Sequence, residues 1–186
     1  MWERHFWEEW EHLLGFLTKL NVFVHSIEAD NVSAGAALEQ FVHVKSEVLQ
    51  FAQGLPAKIQ SKLVEIIQRR EAMFATPWAM LSNLLDPRFR CKAFPAPKRR
   101  EAIQFLCQKA WKVFHPTEEV VSMAHLDEWL EMSGSFNDAL NFMGGGPMDG
   151  HKAQCFWPFY KDSPLHLIGM CCVALPASTA SVEKRR

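Results

Sequence analysis

His5, Glu9 and His12 stand at i, i+4 and i+7, which sets two imidazoles and a carboxylate on one helical face, donor types that hold zinc. No fourth donor accompanies them and Trp2, Phe6 and Trp10 crowd the same stretch, so no metal is expected. Five cysteines (Cys91, Cys107, Cys155, Cys171 and Cys172) are odd in number and form no C-x-x-C pair. That pattern argues against a disulfide framework or zinc knuckle and for reduced thiols in a cytosolic or nuclear protein. Cys91, Cys107 and Cys155 lack the neighbouring histidine of a catalytic dyad. Cys171 and Cys172 would point about 100° apart on a helix, so they cannot chelate together and are expected to be small buried hydrophobes. Three basic clusters, Arg69-Arg70, Arg88-Phe89-Arg90-Cys91-Lys92 and Lys98-Arg99-Arg100, could touch phosphates if they share a face. Solvated helix ends explain such runs more often, and for Arg88 an ion pair with Asp86 or a neighbouring acid that fixes its loop is the favoured role.

These residues are carried by 186 positions, 48% of them hydrophobic, enough for one globular core. Twenty Lys+Arg against 21 Asp+Glu leave a net charge of −1, so DNA contact has to come from a local patch. Seven Trp and 14 Phe against one Tyr give large apolar surface with few hydroxyl handles. No apolar run of about 18 residues occurs, so no membrane span is expected. The opening MWERHFWEEWEHLLGFL holds four glutamates, unlike a signal peptide or a basic membrane-surface helix.

Helical periodicity predicts the elements. Phe6, Trp10, Leu13, Leu14, Leu17, Leu20, Val24 and Ile27 share one face of a long first helix. Leu38 to Ala52 forms a second, closed by Gly54-Leu55-Pro56, and Ile59 to Phe74 a third. Thr76-Pro77 opens a short fourth helix through Leu84, and the prolines from Pro87 to Pro97 bound an irregular loop. Helix resumes from Lys98 to Phe114 with Ile103, Leu106, Ala110 and Phe114 on one face. A further helix opens at Pro116-Thr117-Glu118-Glu119 and ends before Gly134; Ser135 to Asp138 has the form of a capping box, and Gly144 to Pro147 that of a connector. Ser163-Pro164 starts an apolar helix that Pro176 stops, and Ser178 caps a last one cut short at Arg186. The class is mainly α, divided as 1–94, 95–147 and 148–186.

Two stretches carry a family resemblance. Leu81-Ser82-Asn83-Leu84-Leu85-Asp86-Pro87-Arg88-Phe89-Arg90 resembles the LLDPRFK block of hAT-superfamily transposases. The tail, Phe156-Trp157, then Pro164-Leu165, then Val173-Ala174-Leu175-Pro176-Ala177-Ser178-Thr179-Ala180-Ser181-Val182-Glu183-Lys184, resembles the hAT C-terminal dimerisation region. The resemblance implies a helical insertion domain (1–94, with further helices and a Gly-rich connector over 95–147) joined to a partial C-terminal segment of an RNase H-like core (148–186).

It further implies that Glu183 matches the family's third metal-binding carboxylate in two-metal phosphoryl transfer. The family's first two aspartates, on strands before the insertion, have no counterpart here; Lys184 replaces the family arginine and Ser163 the tyrosine. No catalysis, cofactor or small-molecule substrate is therefore expected. The reading is a transposase-derived dimerisation module, nuclear, associating with itself or another hAT-like protein through Trp157, Leu165, Ile168, Cys172, Leu175, Pro176, Ala177 and Ser178. Lys98, Arg99 and Arg100 would add auxiliary DNA contact. Without a core sheet to cover it, the apolar tail helix is expected to self-associate or stay poorly ordered. The alternatives are a fragment of an active DDE-type transposase and a helical adaptor unrelated to DNA.

Overall fold

The computed structural model describes residues 2–28, 32–117, 123–137 and 155–177. Its helices are α1 (Trp2–Ile27), α2 (Ala34–Ala52), α3 (Ala57–Phe74), α4 (Pro77–Leu85), α5 (Ala96–Phe105), α6 (Trp111–Phe114), α7 (Met123–Glu131) and α8 (His166–Val173). The chain is mainly α; among the described residues the sole β feature is an isolated antiparallel bridge between Ser33 and Pro176.

Local chemistry sets the boundaries. Ser33 caps α2 by accepting from the Ala36 N–H, and Thr76 caps α4 by accepting from Ala79, with Pro77 in the first turn where a missing N–H costs nothing. The same tolerance moves the start of α5 two residues ahead of the expected Lys98, to Ala96, because Pro97 falls in the first turn. A π turn at Leu106–Ala110 then joins α5 to α6. Its five-residue step puts Trp111 on the face of Leu106, so the buried line is Ala102, Leu106, Ala110 and Trp111, while Ile103 and Phe114 are only half-buried.

Ser135 sits inside a 3-10 turn (Gly134–Phe136), its hydroxyl and N–H both donating backward to Glu128, 2.9 and 3.3 Å; Asp138 and the helix that the expected capping box would open lie outside the described residues. Two further expectations are corrected. Ser163 accepts from the Leu165 N–H, yet the helix proper begins only at His166, two residues after the expected start at Pro164. The α1 residues do not share one face. Leu13, Phe16, Leu20, Phe23 and Ile27 turn toward the protein, whereas Phe6, Trp10, Leu14, Leu17 and Val24 lie exposed. The expected capping by Glu118-Glu119, the Gly144–Pro147 connector and the Ser178 helix lie outside the described residues.

Helices α1, α2 and α3 meet around Phe41, Val48 and Ile67; Phe16 stacks on Phe51 at 4.2 Å and Phe41 on Phe74 at 4.9 Å. The larger cluster surrounds α4, whose residues from Ala79 to Leu85 are all buried, and draws on α2, α5 to α8 and the aromatics Trp129, Phe136, Phe156 and Trp157. It takes side chains from all three sequence segments.

Two glycines allow close approaches. A Cβ at Gly35 would strike the Ser82 and Asn83 backbone, so α2 crosses α4 at near backbone contact. At Gly169 it would run into the Trp157 indole, which lies flat on α8. Gly15 on α1 has nothing within 4 Å. The same substitution should therefore have opposite signs: Gly169→Ala loses about 2 kcal/mol or more by overpacking, and Gly15→Ala gains roughly 0.5–1 kcal/mol from helix propensity. Urea denaturation of both variants checks this; equal shifts would refute the packing assigned to Trp157.

Candidate functional site

The two stretches singled out in the sequence meet at the C-terminal end of α4. A helix leaves its last carbonyls without intrahelical donors. Here two indoles supply them: Trp129 Nε1 donates to the Leu84 carbonyl at 2.9 Å, and Trp157 Nε1 to that of Leu85 at 3.0 Å. The two rings pack against each other, 4.8 Å between centroids, with Phe136, Phe156 and Tyr160 around them. Ser82 relays the contact onward, accepting from the Gly35 N–H and donating to the Cys172 carbonyl at 2.7 Å. The tail is held further by His166 Nδ1, donating to the Trp157 carbonyl, and His115 Nε2, donating to that of Pro164.

Asn83 organises the loop that follows. Its Nδ2 donates to Gly35 O and to Glu39 Oε2, and its Oδ1 accepts from the Cys91 N–H, each near 3.0 Å. That last bond pins a backbone in which Arg90 (φ 52) and Cys91 (φ 54) are both left-handed, a conformation that costs free energy for side chains with a Cβ. Asp86, fully buried, receives Arg88 in a fork: Nε to Oδ1 at 2.9 Å and Nη2 to Oδ2 at 2.6 Å, with the Arg88 N–H on Oδ1 as well. The ion pair anticipated for Arg88 is thus what the loop contains.

This sorting reshapes the basic patch. Arg88 is committed to Asp86, and Arg90 is buried with Nη1 3.5 Å from the Leu130 carbonyl at the end of α7. Burial and the nearby Arg99 pull the Arg90 guanidinium below its usual value; burial, then Arg90 and Arg99, do the same to the exposed Lys92. Lys92 and Arg99 therefore lie in one cationic neighbourhood. Lys98 and Arg99 are half-buried, Arg100 is exposed, and all three occupy the first turns of α5. Arg69 and Arg70 are exposed on α3.

The residues expected to form a dimer surface are mostly interior. Trp157 and Leu165, from the segment before α8, and Ile168 and Cys172 on α8 are buried in the chain's own core, where α4 and α2 pack against α8. This corrects the expectation that the apolar tail helix lacks cover. Leu175 and Ala177 are half-buried and Pro176 is exposed, beside α2: Ala34 N donates to Leu175 O and Ala177 N to Val32 O. The outward face of α8 is instead Leu167, Met170 and Cys171, with Phe159 exposed just upstream. Cys171 was expected to be buried and is not; Cys172 is. Ser178 and Glu183 lie outside the described residues, as do the side chains of His5 and Glu9. Among the described residues no group of three or more His, Cys, Asp or Glu is placed to hold a metal, and no helix is long and apolar enough to cross a membrane.

Comparison with known proteins is silent. No family model, curated protein or solved structure matches the chain.

Sequence reasoning missed the capping role of Trp129, which stands outside both resemblance blocks; its one signal is a tryptophan on an otherwise amphipathic helix needing a buried acceptor.

Removing the Arg88 guanidinium strands a buried carboxylate, so Arg88→Ala should lose about 3 kcal/mol, while Arg100→Ala stays within about 0.5 kcal/mol. Urea denaturation distinguishes them, and equal small effects would reduce the Asp86–Arg88 fork to a surface contact. Burial pushes the Cys91 and Cys172 thiols up to about 12. Their folded values exceed the unfolded ones, so the associated stability is present below about 9 and lost as pH rises toward about 12. At neutral pH, iodoacetamide should modify exposed Cys155 and Cys171 in the native chain and reach Cys91 and Cys172 only on unfolding. Intact-mass spectra report the adducts, and early modification of Cys91 would contradict its burial.

Proposed function

We propose that this chain is a transposase-derived protein-association module of the hAT type, acting in the nucleus without strand-transfer activity of its own. The observation that carries this reading is that its two resemblance blocks close on each other: Trp157 of the tail bonds to Leu85, 72 residues away, and Ser82 bonds to Cys172, 90 residues away. Leu84, Leu85 and Asp86 of the first block are fully buried beside them, so the block's side chains serve that joint. On this reading the tail is a partial C-terminal segment of an RNase H-like core, and Glu183 is the counterpart of its third carboxylate. One carboxylate does not hold two metals.

The associating surface we assign is the outward side of α8, where Leu167 and Met170 are exposed beside Phe159. Auxiliary DNA contact falls to Lys92, Lys98, Arg99 and Arg100. Cations in the first turns of α5 oppose the positive end of the helix dipole, an arrangement that a bound phosphate relieves. A helical adaptor with no DNA role is the second reading, favoured by the acidic, aromatic α1.

Sedimentation equilibrium tests the association: Leu167→Asp with Met170→Asp should abolish one association step at unchanged thermal midpoint, and an unaltered assembly would refute the surface. For DNA, Lys98→Glu, Arg99→Glu and Arg100→Glu together should weaken duplex binding and flatten its log–log salt dependence by about two to three units. Unchanged binding would leave the adaptor reading.

A further inference from the structure

Helix α1 carries two apolar stripes where a surface helix needs one. Leu13, Phe16, Leu20, Phe23 and Ile27 pack toward α2 and α3. Advanced by one residue, and so turned by about 100°, runs a second line at alternating steps of three and four: Trp7, Trp10, Leu14, Leu17, Asn21 and Val24. All six are exposed, Trp7 at 58% and both leucines at 47%. Steps of three and four are the a/d spacing of a coiled coil, with Trp7, Leu14 and Asn21 at a and Trp10, Leu17 and Val24 at d. In sequence the repeat ends at acids on both sides, Glu3 and Glu28, which bounds the seam.

We propose that this seam pairs with the same seam of a second copy, forming a parallel two-stranded coiled coil. Asn21 decides the occupant and its direction. In a parallel pair each a position faces its own counterpart, so the two Asn21 amides hydrogen-bond to each other, the register-setting use of a lone polar a residue. In an antiparallel pair, a faces d and Asn21 is buried against an apolar side chain such as Trp10 with no partner for its amide. A different protein would have to supply a matching polar group at that one height; a second copy supplies it by symmetry.

The flanks agree. The g positions are Phe6, Leu13, Leu20 and Ile27 and the e positions Glu11, Thr18 and His25, so no like charges face each other across a parallel pair. The seam exposes two tryptophans, two leucines and a valine in one continuous line, each 44% or more accessible, an apolar face that a second copy would cover. Because α2 lies on the other stripe, pairing leaves the fold unchanged. This surface is separate from the α8 face and does not depend on the hAT reading.

Analytical ultracentrifugation is performed in the Leu167→Asp/Met170→Asp background, which leaves α1 as the proposed contact. The chain should sediment as a dimer at tens of micromolar and dissociate on dilution. Leu14→Glu with Leu17→Glu should raise the dissociation constant at least tenfold without changing the helical circular-dichroism signal or the thermal midpoint. Asn21→Cys, in a Cys155→Ser/Cys171→Ser chain, should cross-link to itself under mild oxidation. A monomer throughout, dimers indifferent to the glutamates, or cross-linking of Asn21→Cys only to a Trp10→Cys copy would each overturn the proposal. So would α1-dependent capture of the monomer by phosphatidylserine vesicles.

Discussion

Two indole N–H groups on two adjacent carbonyls hold this fold together. The end of α4 is buried, and a buried helix end with unpaired carbonyls would cost more than most single packing contacts return. Trp129 and Trp157 come from α7 and from the segment before α8, so satisfying α4 recruits both elements at once. Once they are in place, their rings form the wall against which Phe136, Phe156 and Gly169 settle. The polar side chains on α4, Ser82 and Asn83, are fully buried and direct all their donors and one acceptor each to α2, α8 and the loop after Asp86.

That polar economy also explains the surface. Arg88 and Arg90 belong to the most basic string in the sequence, yet the loop draws both inward, one onto Asp86 and one to the end of α7. Cationic surface is left at Lys92 and the start of α5. A net charge of −1 therefore coexists with a local positive patch, and charge counting cannot distinguish buried from solvated arginines.

Much of the architecture was legible. Thr76-Pro77 and the three- and four-residue periodicities locate α3, α4 and the end of α2 closely, because caps and amphipathic stripes are local effects; the first turn of α2, from Ala34, precedes the expected Leu38. What escaped was set by tertiary packing. The π turn that brings Trp111 inward leaves no mark in periodicity, and paired left-handed residues at Arg90 and Cys91 depend on a bond from Asn83 that no propensity encodes. The two stripes of α1 merged into one because adjacent stripes on a helix leave nearly every third or fourth position apolar either way. For the candidate site, Trp157 and Leu165 were expected on a dimer surface, but α4 lies against them and they belong to this chain's own core.

The bridge between Ser33 and Pro176 has a topological consequence. Val32 to Ala34 and Leu175 to Ala177 lie side by side, joined by two backbone hydrogen bonds. The segment between them thus forms a nearly closed ring in which the start of α2 and the exit of α8 share one spot, and α1 hangs outside it. A cut at an exposed turn such as that at Gly54 falls inside the ring, so the bridge would still hold the start of α2 beside the exit of α8. Elongation or trimming at α1 reaches that core through α2 and through the Phe23–Phe74 contact with α3.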